Sequence, residues 1–246
     1  MALIDTNHDP MGQAIRDYFE HGKALKLWVC SEMFEDDEMP VPHLFRTAMQ
    51  MNAMERRALS LCRGRVLDVG AGAGCHALIL QEKRDISVSA IDVSPLSVET
   101  MRRRGVLDCQ LVDFFDESFV GCFDVVLMLM NGIGIVGRIA ELPRFFKRLD
   151  SLLAPGGFLL TDSTDLRYVF EDEEGNFDVN EFEHYYGEVD YTMHYGKVHG
   201  ESFPWLYVDF DTLCAVAEEA GFCVTMVQQG EHYDYLAKIE RKTSNK

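Results

Sequence analysis

Short apolar runs alternate with amphipathic segments through the middle of the chain. The runs are rich in Val, Leu and Ile, and the segments between them carry helical spacing. This alternation predicts βα units around a buried parallel sheet, because helices cover both faces of such a sheet. The apolar runs are RVLDVG (65–70), SVSAID (87–92), CQLVDF (109–114), DVVLMLM (124–130) and GFLLTDS (157–163).

Helix signals between and after these runs agree with the alternation. Ser94 followed by Pro95 is typical of an N-cap with proline at the first helical position, and Gly105 is typical of a C-terminal stop. Asp209 predicts the start of a later helix that stops at Gly221. Two strands then follow, FCVTMVQQ (222–229) and YDYLAKIE (233–240), and the short GEH turn between them predicts an antiparallel pair.

Two segments depart from the βα pattern. Residues 1–62 form a predicted helical extension, with one helix over 11–28 and another over 43–61, ahead of a domain over 63–246. Residues 166–206 form a predicted insertion that contacts substrate or acts as a lid. Aromatic alternation over 186–207 with a turn near Gly196 predicts a β-hairpin there. The insertion carries ten acidic residues against Arg167 and Lys197, which predicts an acidic surface.

Composition narrows the function classes. The 246 residues are 47% hydrophobic, and the formal net charge of −18 opposes binding to nucleic acid and to anionic membranes. Seven cysteines never fall in C-x-x-C spacing, so we expect neither a disulfide framework nor a metal site. The opening residues lack a secretory pattern and no 18-residue apolar run occurs, so we expect a cytoplasmic protein without a membrane span.

A glycine loop is the first candidate for chemistry. In VLDVGAGAGCHAL (66–78), a buried strand ends in a turn containing Gly70, Gly72 and Gly74, which lets backbone approach a ligand. Dinucleotide-binding proteins use similar loops, but their G-x-G-x-x-G fingerprint would need glycine or alanine at Cys75. Asp92 ends the next strand, where a carboxylate accepts hydrogen bonds from ribose hydroxyls, so the pair indicates an adenosine cofactor.

The run LVDFFD decides between adenosine cofactors. It ends a third strand in Asp113 followed by Phe114. With LDVGAGAG, Asp92 and Asp113 in this order, the chain resembles the class I S-adenosylmethionine (SAM)-dependent methyltransferase family, over about 64–165 and 207–240. The resemblance implies an α/β fold: a Rossmann-like doubly wound sheet with an antiparallel C-terminal strand pair, here with the helical N-terminal extension and inserted β-hairpin.

The resemblance also implies which residues hold SAM. Asp68 and the glycine loop would hold its methionine part, Asp92 its ribose, and Asp113 and the Phe114 backbone its adenine. Met130 and Asn131 would lie beside the sulfonium and the acceptor. The full set of expected cofactor contacts is Asp68, Gly70, Ala71, Gly72, Gly74, Asp92, Val93, Asp113, Phe114, Met130 and Asn131.

The acceptor is expected to be a small molecule. The segment MLMNGIGIVG (128–137) lacks the Asn/Asp-Pro-Pro-Tyr motif of enzymes that methylate base or glutamine amino groups, and the Pro-Cys nucleophile of cytosine C5 enzymes is also missing. A general base is needed only if the acceptor still carries a proton at neutral pH. Candidates for base or acceptor contact are Asp162, Asp165, His184, Tyr186 and His194, with Tyr185, His199 and Trp205 as further aromatic candidates. An acidic lid would favour a cationic or amine acceptor.

Other roles remain open at this point. Tyr18 and Arg46 could close over the cofactor, although we expect them to be solvent-exposed, and His76 is expected to be a packed or solvated helix residue. The alternatives in function are a non-catalytic SAM-binding partner subunit, a protein or RNA methyltransferase, and an NAD(P) oxidoreductase. An NAD(P) oxidoreductase would be expected to carry a catalytic Tyr-x-x-x-Lys motif after the fourth strand, and this chain lacks it. The pattern carries no signal of an oligomeric state.

Overall fold

The computed structural model describes residues 3–172, 174–178 and 182–242. Within them, helices and strands alternate through the middle of the chain. The helices are α1 (Pro10–His21), α2 (Ala53–Leu61), α3 (Cys75–Gln81), α4 (Pro95–Arg104), α5 (Leu142–Leu152), α6 (Arg167–Phe170) and α7 (Phe210–Glu219). The strands are β1 (Leu27–Ser31), β2 (Asp37–Met39), β3 (Gly64–Val69), β4 (Ile86–Asp92), β5 (Cys109–Leu111), β6 (Phe123–Met128), β7 (Leu153–Thr164), β8 (Glu188–Tyr195), β9 (Val198–His199), β10 (Phe203–Leu206), β11 (Phe222–Gln229) and β12 (Asp234–Arg241).

The central sheet has the predicted doubly wound form. Its order is β11-β12-β7-β6-β3-β4-β5, with parallel pairing from β7 to β5 and antiparallel pairing of β12 to both β7 and β11. Val66 of β3 lies between Val88 of β4 and Val125 of β6. This register aligns the carboxyl ends of the central strands, where open α/β sheets bind ligands.

Both faces of this sheet are covered. On one face, α5 and α7 contribute Phe145, Phe146 and Leu213 to a core without solvent exposure. On the other, α3 and α4 contribute Leu80 and Met101. The predicted helix ends are confirmed: Ser94 accepts a hydrogen bond from the Ser97 N–H, and Gly105 ends α4 at a φ of 100°.

The two helices predicted for the N-terminal extension are present, but both are shorter than the predicted bounds of 11–28 and 43–61. Helix α1 ends at His21, where Gly22 adopts a φ of 66°. Leu25 is then 64% exposed, and strand β1 begins at Leu27. The second helix begins at Ala53, because Pro40 and Pro42 favour short turns before it, at Val41–Phe45 and Ala48–Gln50. The spacing that included Trp28 therefore extended the predicted helix too far, because a strand also places alternate side chains toward a core.

The N-terminal segment and the insertion together build a second sheet. Its order is β10-β8-β1-β2, with β9 also paired to β8. The predicted hairpin is confirmed by antiparallel pairing of β8 with β9 and β10, with Gly196 in the first turn at a φ of 57°. Leu27 of β1 pairs with Tyr195 of β8, so two segments far apart in sequence share one sheet. Of the insertion's acidic residues, Glu173 and Glu181 lie outside the described residues.

Helix α1 lies against the glycine loop. Asp9 is fully buried and caps the helix by accepting a hydrogen bond from the Gly12 N–H at 2.7 Å, while the Ser94 hydroxyl donates to its other oxygen. Ile15 packs in one cluster with Ala73 of the loop and with Met130 after β6. The extension therefore covers the carboxyl end of the central sheet. No helix among the described residues is long and apolar enough to cross a membrane.

We expect Asp9→Ala to lower the free energy of unfolding by about 1 to 2 kcal/mol, because it removes a helix cap and leaves a buried Ser94 hydroxyl without its acceptor. Asp9→Asn keeps a capping oxygen and should lose less than half as much. Chemical denaturation followed by circular dichroism measures both. Equal losses in the two variants would show that the charge, and not the cap, holds α1.

Candidate functional site

The glycine loop opens the candidate site at the end of β3. Gly70, Gly72 and Gly74 have φ values of 68°, 55° and 79°, a region that L side chains rarely adopt. A Cβ on Gly74 would lie 2.9 Å from Val106, whereas a Cβ on Gly70 would meet no atom within 4 Å. Glycine at 74 therefore serves packing of the loop onto α4, and the face of Gly70 is open. Ala71 is buried beneath the loop.

Asp92 is tied to this loop. One carboxylate oxygen accepts a hydrogen bond from the Gly72 N–H at 2.8 Å and the other accepts one from the Ser94 N–H at 2.8 Å. Burial raises the pKa of Asp92 to about 6, although both N–H donors oppose that rise. A carboxylate accepts about four hydrogen bonds in all, so each oxygen keeps capacity for a further donor.

An open cleft extends from Asp92 to the end of β5. Val93, Asp113, Phe114 and Ile135 line it together with Gly70 and Asp92. Phe114 is buried, and its carbonyl accepts a hydrogen bond from the Arg148 Nε at 2.7 Å. Asp113 accepts one from the Phe115 N–H at 2.9 Å. The structure thus brings together three of the predicted acid and aromatic positions along one apolar cleft.

The loop after β6 has unusual backbone geometry. Met130 and Asn131 have φ values of 66° and 55°, and non-glycine residues in this region store strain and cluster at functional sites. The Asn131 N–H donates to Asp162 at 3.0 Å, and the Thr164 hydroxyl donates to the Asn131 amide oxygen at 3.1 Å. Strand β7 therefore holds this strained turn. Burial raises the pKa of Asp162 to about 6, against opposing backbone donors.

A buried group of charges lies behind the glycine loop. Asp68 is 2% exposed, its Oδ2 has no hydrogen-bond partner, and burial raises its pKa to about 6. Arg46 forms an ion pair with Glu55, whose Oε1 also lies 2.9 Å from His76 Nε2. Burial acts to raise the pKa of Glu55, but the hydrogen bond and charge of His76 and the charge of Arg46 outweigh it and lower that pKa.

The expectation that Arg46 is solvent-exposed was wrong, since only 7% of the residue is exposed. Sequence reasoning also missed Glu55. The signal for Glu55 was the capping box with Asn52, which fixes the start of α2, but its partners come from two other elements. His76 is buried and packed, which is one of the two alternatives expected for it. Tyr18 is half-buried against Phe45, with ring centroids 4.7 Å apart.

Two of the acceptor-side candidates form a closed network. Asp165 is buried, pairs with Arg167, and accepts a hydrogen bond from the Tyr186 hydroxyl at 2.8 Å. Asp209 accepts one from the Tyr185 hydroxyl at 2.6 Å. Burial raises the pKa of Tyr186 far above its ordinary range. This network joins the end of β7 to the insertion and to the cap of α7.

The remaining candidates are scattered. His184 is exposed, and the His194 ring stacks between Trp28 and His199, at 6.2 and 5.6 Å between centroids. Strand alternation puts His194 on the face of the small sheet opposite Tyr195, whose hydroxyl bonds Asp17 of α1. Trp205, by contrast, packs directly on Gly134 in the turn after Asn131. Among the described residues, no cluster of His, Cys, Asp and Glu has metal-binding geometry.

Comparisons with known proteins decide the family. A model of the methyltransferase domain matches residues 66–157. A solved SAM-dependent methyltransferase from Bacteroides fragilis, in complex with S-adenosyl-L-homocysteine (SAH), is 51% identical over 98% of both chains, with a TM-score of 0.93. The chain belongs to the SAM-dependent methyltransferase family. It is a SAM-dependent methyltransferase with the Rossmann-like fold of that family.

More distant structures share the fold with this methyltransferase. An amino pentose methyltransferase from Micromonospora echinaspora is 17% identical over 85% of this chain and 100% of its own, with a TM-score of 0.53. A sugar N-methyltransferase from a Streptoalloteichus species is 19% identical over 83% of this chain and 94% of its own, also with a TM-score of 0.53. A search of curated proteins finds no match.

We expect Asp68→Asn to raise the stability of the cofactor-free methyltransferase at pH 7.5, by at most about 3 kcal/mol. The pKa of Asp68 is about 6 in the folded state and lower in the unfolded chain, so its favourable contribution is present at about pH 4 and is lost as pH rises through 6. Denaturation of both proteins between pH 4 and 8 measures this. A stability difference that does not change with pH would contradict it.

Proposed function

We propose that this methyltransferase transfers the methyl group of SAM to a small molecule, at the carboxyl end of its central sheet. The observation that carries the proposal is the convergence of Asp92, the glycine loop and the strained Met130–Asn131 turn at one edge. Under it, Asp68 and the backbone of Gly70, Ala71, Gly72 and Gly74 hold the methionine part.

The adenosine side of the site fits its proposed ligand. Asp92 keeps acceptor capacity for ribose hydroxyls beside Val93, and both line the apolar cleft. Asp113 and Phe114 line the far end of the same cleft, where a flat aromatic base would be enclosed by apolar side chains. Met130 lies 3.6 Å from Arg46 of the buried charges, at the end of the neighbouring strand β6.

When bound, SAM supplies an activated methyl group, so the protein's task is to position the acceptor, exclude water and take up a proton where the acceptor carries one. Among the candidates, Asp162 is the best supported as proton acceptor. It is half-buried beside Asn131, and a pKa of about 6 suits a base near neutral pH. Asp165 and Tyr186 are already paired with Arg167 and with each other, which favours a role in holding the insertion. His184 and His194 have the least support.

Charge supports a small-molecule acceptor over a nucleic acid. A net charge of −18 repels polyanions, and the acids of the insertion would favour a cationic or amine acceptor. The two distant fold relatives named above are described as methyltransferases of an amino pentose and of a sugar nitrogen. Their acceptors are of the class proposed here.

Asp92→Ala should weaken SAH binding by about 10- to 100-fold, because it removes the charged acceptor of the ribose hydroxyls. Isothermal titration calorimetry with SAH measures the change. Asp85→Ala is the matched control, since Asp85 is an exposed acid just before the amino end of the same strand. Wild-type protein that binds NADH tightly and does not respond to SAH would overturn the cofactor assignment.

Methyl-labelled SAM incubated with the enzyme and a cell extract should transfer label into the small-molecule fraction. Asp162→Asn should slow this transfer by about 10- to 100-fold while SAH affinity stays within about 3-fold, since general-base loss acts on the chemical step. Label confined to protein or RNA would contradict the acceptor class. SAH binding without label transfer to any fraction would favour the non-catalytic partner subunit.

A further inference from the structure

Arg46 is a buried cation with an unused hydrogen-bonding edge. Its Nη2 donates to Glu55 and lies 3.6 Å from the Met130 sulfur, but Nε and Nη1 have no hydrogen-bond partner. A guanidinium matches a carboxylate through Nη2 together with either Nε or Nη1, the two pairs whose N–H bonds run parallel. Glu55 takes up one N–H of Nη2, so one of these two pairs is free except for the sulfur contact, and that free edge is shaped for a planar anion.

Burying such an edge without a partner is unfavourable. Each unpaired buried donor loses the hydrogen bond that water would provide. Glu55 cannot serve the free edge, because its Oε1 is shared between Arg46 and His76 and its Oε2 accepts from the Asn52 N–H. Glu55 instead fixes the guanidinium and leaves the other edge available.

A carboxylate with an unused acceptor adjoins the same cluster through His76. Asp68 Oδ2 has no partner in the buried interior, and Asp68 shares electrostatic contact with His76, which bonds the same Glu55. The site thus offers one free acceptor on a carboxylate and one free donor edge on a guanidinium. A ligand that satisfies both carries an ammonium and a carboxylate, as an α-amino acid does.

The place of this pair fits one end of the proposed cofactor. Asp68 precedes the glycine loop in β3, Arg46 contacts Met130 after β6, and neither residue lines the adenosine cleft. We propose that Arg46 binds the α-carboxylate of the methionine portion of SAM, held in position by its ion pair with Glu55. This inference rests on the proposed function, which places the methionine part beside Asp68.

One consequence concerns the N-terminal segment. Arg46 and Glu55 both precede the methyltransferase domain match at residue 66, so the segment is part of the cofactor site and not only its cover. A second consequence is selectivity. The enzyme should prefer ligands that keep the carboxylate over otherwise identical ligands without it.

The test is a two-by-two binding experiment. Isothermal titration calorimetry compares SAH with decarboxylated SAH, S-adenosyl-3-thiopropylamine, on the wild-type protein and on Arg46→Met. Wild type should prefer SAH by about 10- to 100-fold, the loss typical of one charge-assisted contact. Arg46→Met should lose that preference by weakening SAH alone, with affinity for the amine unchanged within about 3-fold. Arg57→Met is the control, because it removes an exposed positive charge from α2.

The outcomes separate the two proposals. If the wild-type protein binds neither ligand, the proposed function fails. If it binds both equally, or if Arg46→Met weakens both by the same factor, the carboxylate role of Arg46 is wrong while the proposed function stands. Should Arg46→Met fail to fold, the wild-type ligand comparison still decides, since equal affinities would overturn the inference and a 10-fold or larger preference, lost in Arg46→Lys, would support it.

Discussion

The parallel pairing of β3 with β4 and β6 is the constraint on which the rest of the structure depends. Because Val66 is flanked by Val88 and Val125, all three strands end at one level, and the turns that follow them meet. The glycine loop, Asp92 and the Met130–Asn131 turn are therefore neighbours, although they are spread along the chain. A slip of one residue in any of these strands would exchange the side chains that face the two cores.

Placing these groups together at one edge of the sheet lowers the stability of the unliganded protein. Burial raises the pKa of Asp68, Asp92 and Asp162 alike to about 6, so each carboxylate is held where its charge is disfavoured. The strained turn adds to this cost. The apolar cores on the two faces of the sheet are made of residues with no exposure, such as Phe145 and Leu80, and they supply the offsetting stability. A site that is unfavourable when empty gains most from a ligand that satisfies it.

Local patterns predicted the parts of the molecule that local chemistry fixes. The βα alternation, the caps at Ser94 and Asp209 and the terminal antiparallel pair follow from residues close in sequence, and all are present. The β1–β8 pairing could not be predicted in the same way, because Leu27 and Tyr195 are far apart in sequence and no local pattern links them. The expected exposure of Arg46 was wrong for the same reason. Arg46 contacts Met130 after β6, and its partner Glu55 also pairs with His76 of α3, so its surroundings come from distant parts of the chain.

The two segments outside the family resemblance depend on each other. Strand β1 leads from α1, which covers the glycine loop, and it pairs with β8, which leads toward Trp205 packed on the turn after Asn131. The small sheet therefore connects the segment that covers the glycine loop with the insertion, whose Tyr186 bonds Asp165 at the end of β7. Because β1 and β8 hydrogen-bond to each other, each segment supplies the partner strand that the other needs, and neither strand is left with an unpaired edge on that side.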